Sequence, residues 1–103
     1  MGPHDPLDLR AQEQAKEQRD ARSKLDQQNE AEDFKWLMAS KRGRRIVWRL
    51  LEQAGVFQLS FNPNAMQMAF AEGRRSYGNR TLAQIHALCP EQYAVMLSEQ
   101  TKT

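Results

Sequence analysis

The sequence predicts an all-α protein: a long polar N-terminal helix followed by a small bundle of about four helices. Three observations carry this expectation. Apolar residues recur at helical spacing in the last two thirds of the chain, and no segment alternates as a strand would. Glycines, prolines and capping residues fall between those stretches, where helices start and stop. The first third is rich in good helix formers, yet from Leu9 to Ala31 its only large apolar residues are Leu9 and Leu25.

The chain therefore reads as a polar helical arm, residues 1–31, and a small helical domain, residues 32–103. The arm has prolines only at Pro3 and Pro6 and no glycine from Leu7 to Ala31. Opposite charges stand at helical spacing: Glu13 and Glu17 with Lys16, Asp20 with Lys24, Arg22 with Asp26. No apolar a/d repeat runs through it, which argues against a coiled coil. An arm this polar cannot bury enough surface to offset its own ordering entropy. About 70 residues remain for a core, a size at which a lone domain is marginal, so oligomerisation or docking on a larger assembly is expected.

Within the domain, a helix is expected from about Glu30 to Ser40, with Phe34, Leu37 and Met38 on one side and Trp36 flanking it. Lys41-Arg42-Gly43 reads as a break, since glycine ends helices and basic residues favour a helix C-terminus. A second helix follows from Arg44 to about Ala54, with Val47, Leu50, Leu51 and Ala54 as its inward stripe, and Gly55 closes it. Val56 to Phe61 reads as an extended link. Asn62-Pro63 predicts the start of a third helix, whose stripe is Met66, Phe70, Gly73 and Tyr77. Gly78-Asn79 is expected to interrupt or bend it before Leu82, Ile85 and Cys89 continue the inward face. Cys89-Pro90-Glu91 opens a last short helix carrying Tyr93, Met96 and Leu97.

The charge is uneven. Residues 1–31 carry five basic and seven acidic side chains, net −2; residues 32–103 carry ten and six, net +4. No acidic residue stands between Phe34 and Leu51, a stretch holding Lys35, Lys41, Arg42, Arg44, Arg45 and Arg49. The tripeptide Gly-Arg-Arg occurs twice, at Gly43-Arg44-Arg45 and Gly73-Arg74-Arg75. Arginine offers a planar fork of donors to carboxylates and phosphates. Arg42, Arg44, Arg45, Arg49, Arg74 and Arg75 are thus the candidate partner- or anion-binding residues. Arg44, Arg45, Arg74 and Arg75 are expected mainly in protein–protein or internal ion pairs, with Glu72 and Asp33 as favoured partners. Overall charge is far below that of a protein that coats nucleic acid by electrostatics alone.

Catalytic, metal and cofactor chemistry find no support in the residues. There is no glycine-rich phosphate loop, nucleophile elbow or paired-histidine signature. His4 and His86 lie far apart, and the single cysteine, Cys89, excludes an internal disulfide and any multi-cysteine zinc site. Trp36, Trp48, Phe57, Phe70 and Tyr77 read as core or interface aromatics, since leucine, valine and methionine surround the tryptophans. Helices at 30–40 and 44–54 have helix-turn-helix lengths, but Ile46 and Trp48 leave little polar readout on a recognition helix. No signal peptide or membrane-spanning apolar run is present, so a cytoplasm-like compartment, or a particle assembled there, is expected.

Asp33 with Trp36-Leu37 and Gly43-Arg44-Arg45, then Leu50-Leu51 with Ala54-Gly55-Val56-Phe57, form an ordered set. It continues with Phe70-Ala71-Glu72-Gly73-Arg74-Arg75, Pro90, Tyr93 and Glu99. This block, Asp33 to Glu99, resembles a family of small tailed-phage proteins typified by one from a short-tailed Bordetella phage. The resemblance covers about two thirds of the chain and leaves out the arm. It implies a setting among head and portal genes and no defined activity. The expectation is a non-enzymatic virion protein near the portal, assembled in the bacterial host cytoplasm. Its expected partners are portal or adaptor proteins and copies of itself, with no membrane. The alternatives are an accessory protein contacting packaged DNA and an assembly chaperone or scaffold-like factor.

Overall fold

The computed structural model describes residues 6–58 and 63–101. His4, the end of the extended link (Leu59 to Phe61) and the cap expected at Asn62 lie outside them. Four α-helices make up the architecture: α1 (Pro6–Met38), α2 (Lys41–Gln53), α3 (Ala65–Leu88) and α4 (Pro90–Thr101). No strand occurs among the described residues. The chain divides into two units, Met1–Asp33 and Phe34–Thr103.

The first unit is α1 up to Asp33, and from Pro6 to Glu30 every residue is exposed. The arm helix and the helix expected at 30–40 are one continuous element, because nothing between Gln27 and Asp33 breaks helical geometry. Among the described residues, the arm's charges at helical spacing do not close into ion pairs.

The second unit has a core of Met38, Val47, Leu51, Val56, Ile85, Cys89 and Met96. Helices α2, α3 and α4 pack on one another in pairs around it. The chain leaves α1 at Ala39-Ser40, two residues earlier than expected. Ser40 is extended (φ −111°, ψ 150°) and its hydroxyl accepts from the Gly43 N–H at 3.0 Å, a side-chain N-cap for α2. Gly43 therefore sits inside the first turn of α2 and does not end a helix. Its need for glycine is steric: a Cβ there would run into the Leu37 carbonyl oxygen, with the carbonyl carbon at 2.8 Å.

Helix α2 ends as the sequence predicts. Gly55 takes φ 75°, its N–H bonds to the Glu52 carbonyl at 3.0 Å, and the Val56 N–H bonds to the Leu51 carbonyl at 3.2 Å. This is a Schellman closure, with its apolar pair supplied by the buried Val56 and Leu51. Val56 to Gln58 accordingly form turns, where an extended link was expected.

Two inward stripes differ from expectation. On α2, Val47 and Leu51 are buried but Leu50 is 56% exposed; the third inward position is Arg44, at i−3 from Val47. On α3, the helix runs through Gly78-Asn79 without a break. Gly78 is buried there because Val56 and Ala54 pack against it, with the Ala54 Cβ 2.7 Å from where a Gly78 Cβ would lie. The buried side of α3 is Gly78, Leu82, Ile85 and Cys89, extended backwards by the half-buried Arg75 and Ala71. Met66, Phe70, Gly73 and Tyr77 form a second stripe, about 130° around the helix at 3.6 residues per turn, and it faces solvent. Asn64 caps α3, accepting from the Met66 and Gln67 N–H groups at 3.0 Å.

The glycines give an ordered test. Gly43→Ala and Gly78→Ala should each cost about 1–3 kcal/mol, the cost of overpacking. A Cβ at Gly73 meets nothing within 4 Å, so Gly73→Ala should gain up to about 1 kcal/mol of helix propensity. Thermal melts followed by circular dichroism should rank Gly73→Ala above wild type and the other two below it.

Candidate interaction surfaces

The six candidate arginines separate into three environments. Arg44 is inside the fold, 9% exposed. Its Nε donates to Glu99 Oε1 at 2.6 Å and its Nη2 to Glu99 Oε2 at 3.0 Å, a two-point fork between α2 and α4. Its Nη1 donates to the Met38 carbonyl at 2.9 Å and to Gln92 Oε1 at 3.2 Å. The Met38 carbonyl is one of the acceptors that the end of α1 leaves without a helical partner. Gln92, Met96 and Glu99 share one face of α4 at i, i+4 and i+7, which presents both acceptors to the same guanidinium. Glu99, rather than Asp33 or Glu72, is thus the acid on Arg44.

The pair holds its own charges. The hydrogen bond from Arg44, against a smaller opposing effect of burial, keeps the Glu99 carboxyl below its ordinary pKa, and Lys41 and Arg45 add to that field. The same hydrogen bond raises the already high pKa of Arg44.

Arg42, Arg45 and Arg49 are exposed along the outer side of α2, beside exposed Lys41 and the part-exposed apolar side chains Ile46 (37%) and Leu50 (56%). Arg74 lies over the Phe70 ring at 5.4 Å, a cation–π contact. Arg75 Nη1 is 3.8 Å from Glu72 Oε1 on the same helix, and its buried Nε has no partner among the described residues.

The candidate aromatics divide likewise. Trp48 is half-buried on the core and stacks on Phe57, ring centroids 4.8 Å apart at 28°. Trp36 (78% exposed), Phe70 (69%) and Tyr77 (71%) are not core residues. Met66 (82% exposed) shares the outer stripe of α3 with Phe70 and Tyr77, and with Gln67, Ala71 and Arg74 the first two line an open groove. The buried Cys89 joins α3 to α4, its N–H bonded to the Ile85 carbonyl, and burial pushes its thiol pKa up. His86 packs its exposed ring against Tyr93 at 4.9 Å.

Among the described residues, no group of His, Cys, Asp and Glu could hold a metal ion. No helix among them is long and apolar enough to cross a membrane.

The second unit is thus a small helical body with an internal Arg–Glu clasp and with aromatic and cationic side chains on its outside. The chain belongs to the Bbp19-like phage protein family, which it matches over residues 34–98. That match begins at the boundary of the second unit and takes in both Gly-Arg-Arg elements. The family is not a known enzyme family. No curated protein and no solved structure matches the chain.

Removing Arg44 leaves a part-buried carboxylate and two acceptors without donors. Arg44→Ala should therefore lower unfolding free energy by about 2–4 kcal/mol, measured by urea titration. Glu99 has its folded pKa below the ordinary 4.5, so its contribution is complete above that value and is lost as pH falls through the folded one. Wild type should exceed Glu99→Gln in stability by a constant margin from pH 7 to about 5, and the margin should shrink below pH 4.5. An unchanged margin at pH 3 would contradict this.

Proposed function

We infer that this chain is a non-enzymatic structural protein of a tailed-phage virion, placed at the head–tail or portal region. It assembles in multiple copies through its helical arm and its arginine-bearing body. The observation that carries this reading is the apolar surface the lone chain leaves in water. Trp36, Met66, Phe70 and Tyr77 are each more than two thirds exposed, while the core holds only seven buried apolar side chains among the described residues. Isolated exposed apolar residues need no explanation, but a regular stripe of large ones marks a contact surface.

Gly73 supports the same reading. A helix-interior glycine costs about 1 kcal/mol relative to alanine, and neither a positive φ nor internal packing requires it here. It leaves a notch between Phe70 and Tyr77 where another backbone can come close. The polar arm fits an assembly in which weak contacts are multiplied by many copies held together.

Mass spectrometry of purified virions should find the chain in mature particles at a fixed multiple. Deleting residues 1–28 should sharply reduce that copy number. Absence of the full-length chain from finished particles would favour an assembly chaperone instead.

A further inference from the structure

The outer face of α2 carries an unusual mixture for a solvated surface. Arg42, Arg45 and Arg49 are exposed, form no ion pair among the described residues, and stand at a 3-then-4 spacing that keeps them within about 60° of one another on a helix. Ile46 and Leu50 lie along one edge of this basic stripe, 37% and 56% exposed. A phosphate backbone would match the charges and gain nothing from these two side chains. A helix with an acidic stripe and some hydrocarbon matches both.

The chain itself contains such a helix. On α1, Glu13, Glu17 and Asp20 stand at a 4-then-3 spacing, also within about 60°, exposed and without ion pairs among the described residues. A 4-then-3 pattern is a 3-then-4 pattern read backwards. An antiparallel pairing therefore brings Glu13 level with Arg49, Glu17 with Arg45 and Asp20 with Arg42. The same register sets Arg10 level with Glu52, a fourth opposite-charge pair.

We propose that the basic face of α2 is the docking site for the acidic stripe, Glu13, Glu17 and Asp20, of the arm of a second copy of this chain. This rests on the reading that copies assemble through the arm, and it names the surface the arm meets. Exposed pairs of this kind are individually weak and salt-screened. The contact is therefore reversible in isolation and strengthens when several copies are held together.

The test uses the full chain and two charge-reversed variants, Glu13→Lys/Asp20→Lys and Arg42→Glu/Arg49→Glu. Arg45 is left in place because it helps hold the charge on Glu99. Wild type should self-associate at low salt in sedimentation velocity and dissociate as salt rises. Each variant alone should associate at least roughly tenfold more weakly, with helix content unchanged by circular dichroism. Mixing the two variants should restore association, because each then offers the other a complementary arm and face.

A monomeric wild type at low salt overturns the proposal, as does association that both reversals leave intact or that mixing fails to restore. A fluorescein-labelled DNA duplex is the competing probe. Salt-sensitive binding to it, lost in Arg42→Glu/Arg49→Glu and kept in Glu13→Lys/Asp20→Lys, with no self-association, would assign the face to nucleic acid. Incorporation separates the two levels of inference. Charge-reversed chains entering particles at normal copy number overturn the arm–α2 contact and leave the virion role standing, whereas a wild-type chain missing from particles removes the role itself.

Discussion

The fold of the second unit depends on one guanidinium. Arg44 joins the first turn of α2 to the last turn of α4 through Glu99, to the first turn of α4 through Gln92, and to the end of α1 through the Met38 carbonyl. Four of its five N–H donors are used, and they point in directions set by a rigid plane. Apolar packing alone tolerates small slides of one helix along another; a planar fork does not. The pair also lies at the edge of the core, with side-chain exposures of 11% and 15%, so its desolvation is incomplete. Its contribution is orientation as well as energy: a two-point fork ties α2 to α4 in one relative position beside Val47, Leu51 and Met96.

The all-helical class was legible from spacing and punctuation alone, and so were one end of α2 and one end of α4. Gly55 closes α2, Pro90 opens α4, and α2 carries Val47 and Leu51 inward as the 3.6-residue period requires. The arm's continuity into the helix at Phe34–Met38 was not, because a change in composition from polar to apolar looks like a boundary even where the backbone crosses it unbroken. Helix α3 is legible in its second half, where Leu82, Ile85 and Cys89 face inward as their spacing predicts, and not in its first, where the stripe of larger side chains, Met66, Phe70 and Tyr77, faces water and the inward line continues through Gly78. Size and periodicity identify a face; they do not say whether that face meets its own chain.

The same ambiguity governs the candidate residues. Arg44 and Arg45 are adjacent in a repeated tripeptide, yet one is enclosed and the other exposed. The distinguishing signal was present in the sequence: Arg44 precedes Val47 by three and Leu51 by seven, on the inward line of α2, whereas Arg45 falls 100° away from it. Glu99 likewise follows Met96 by three. What no spacing rule supplies is that these two inward charges, 55 residues apart, would meet. Nearness in sequence favoured Asp33 and Glu72, and nearness in sequence decided only the weaker contact, Arg75 with Glu72.

Cys89 has a consequence for the chemistry of the purified protein. It is the sole thiol, 3% exposed, at the junction where α3 ends and Pro90 begins α4, and its pKa is raised by burial. Two folded chains cannot bring such sulfurs together, and the protonated thiol is a poor nucleophile. A covalent dimer seen on oxidation would therefore record chains whose α3–α4 corner had opened, not native surfaces in contact. The protein thus carries its own marker separating association of folded copies from cross-linking of unfolded ones.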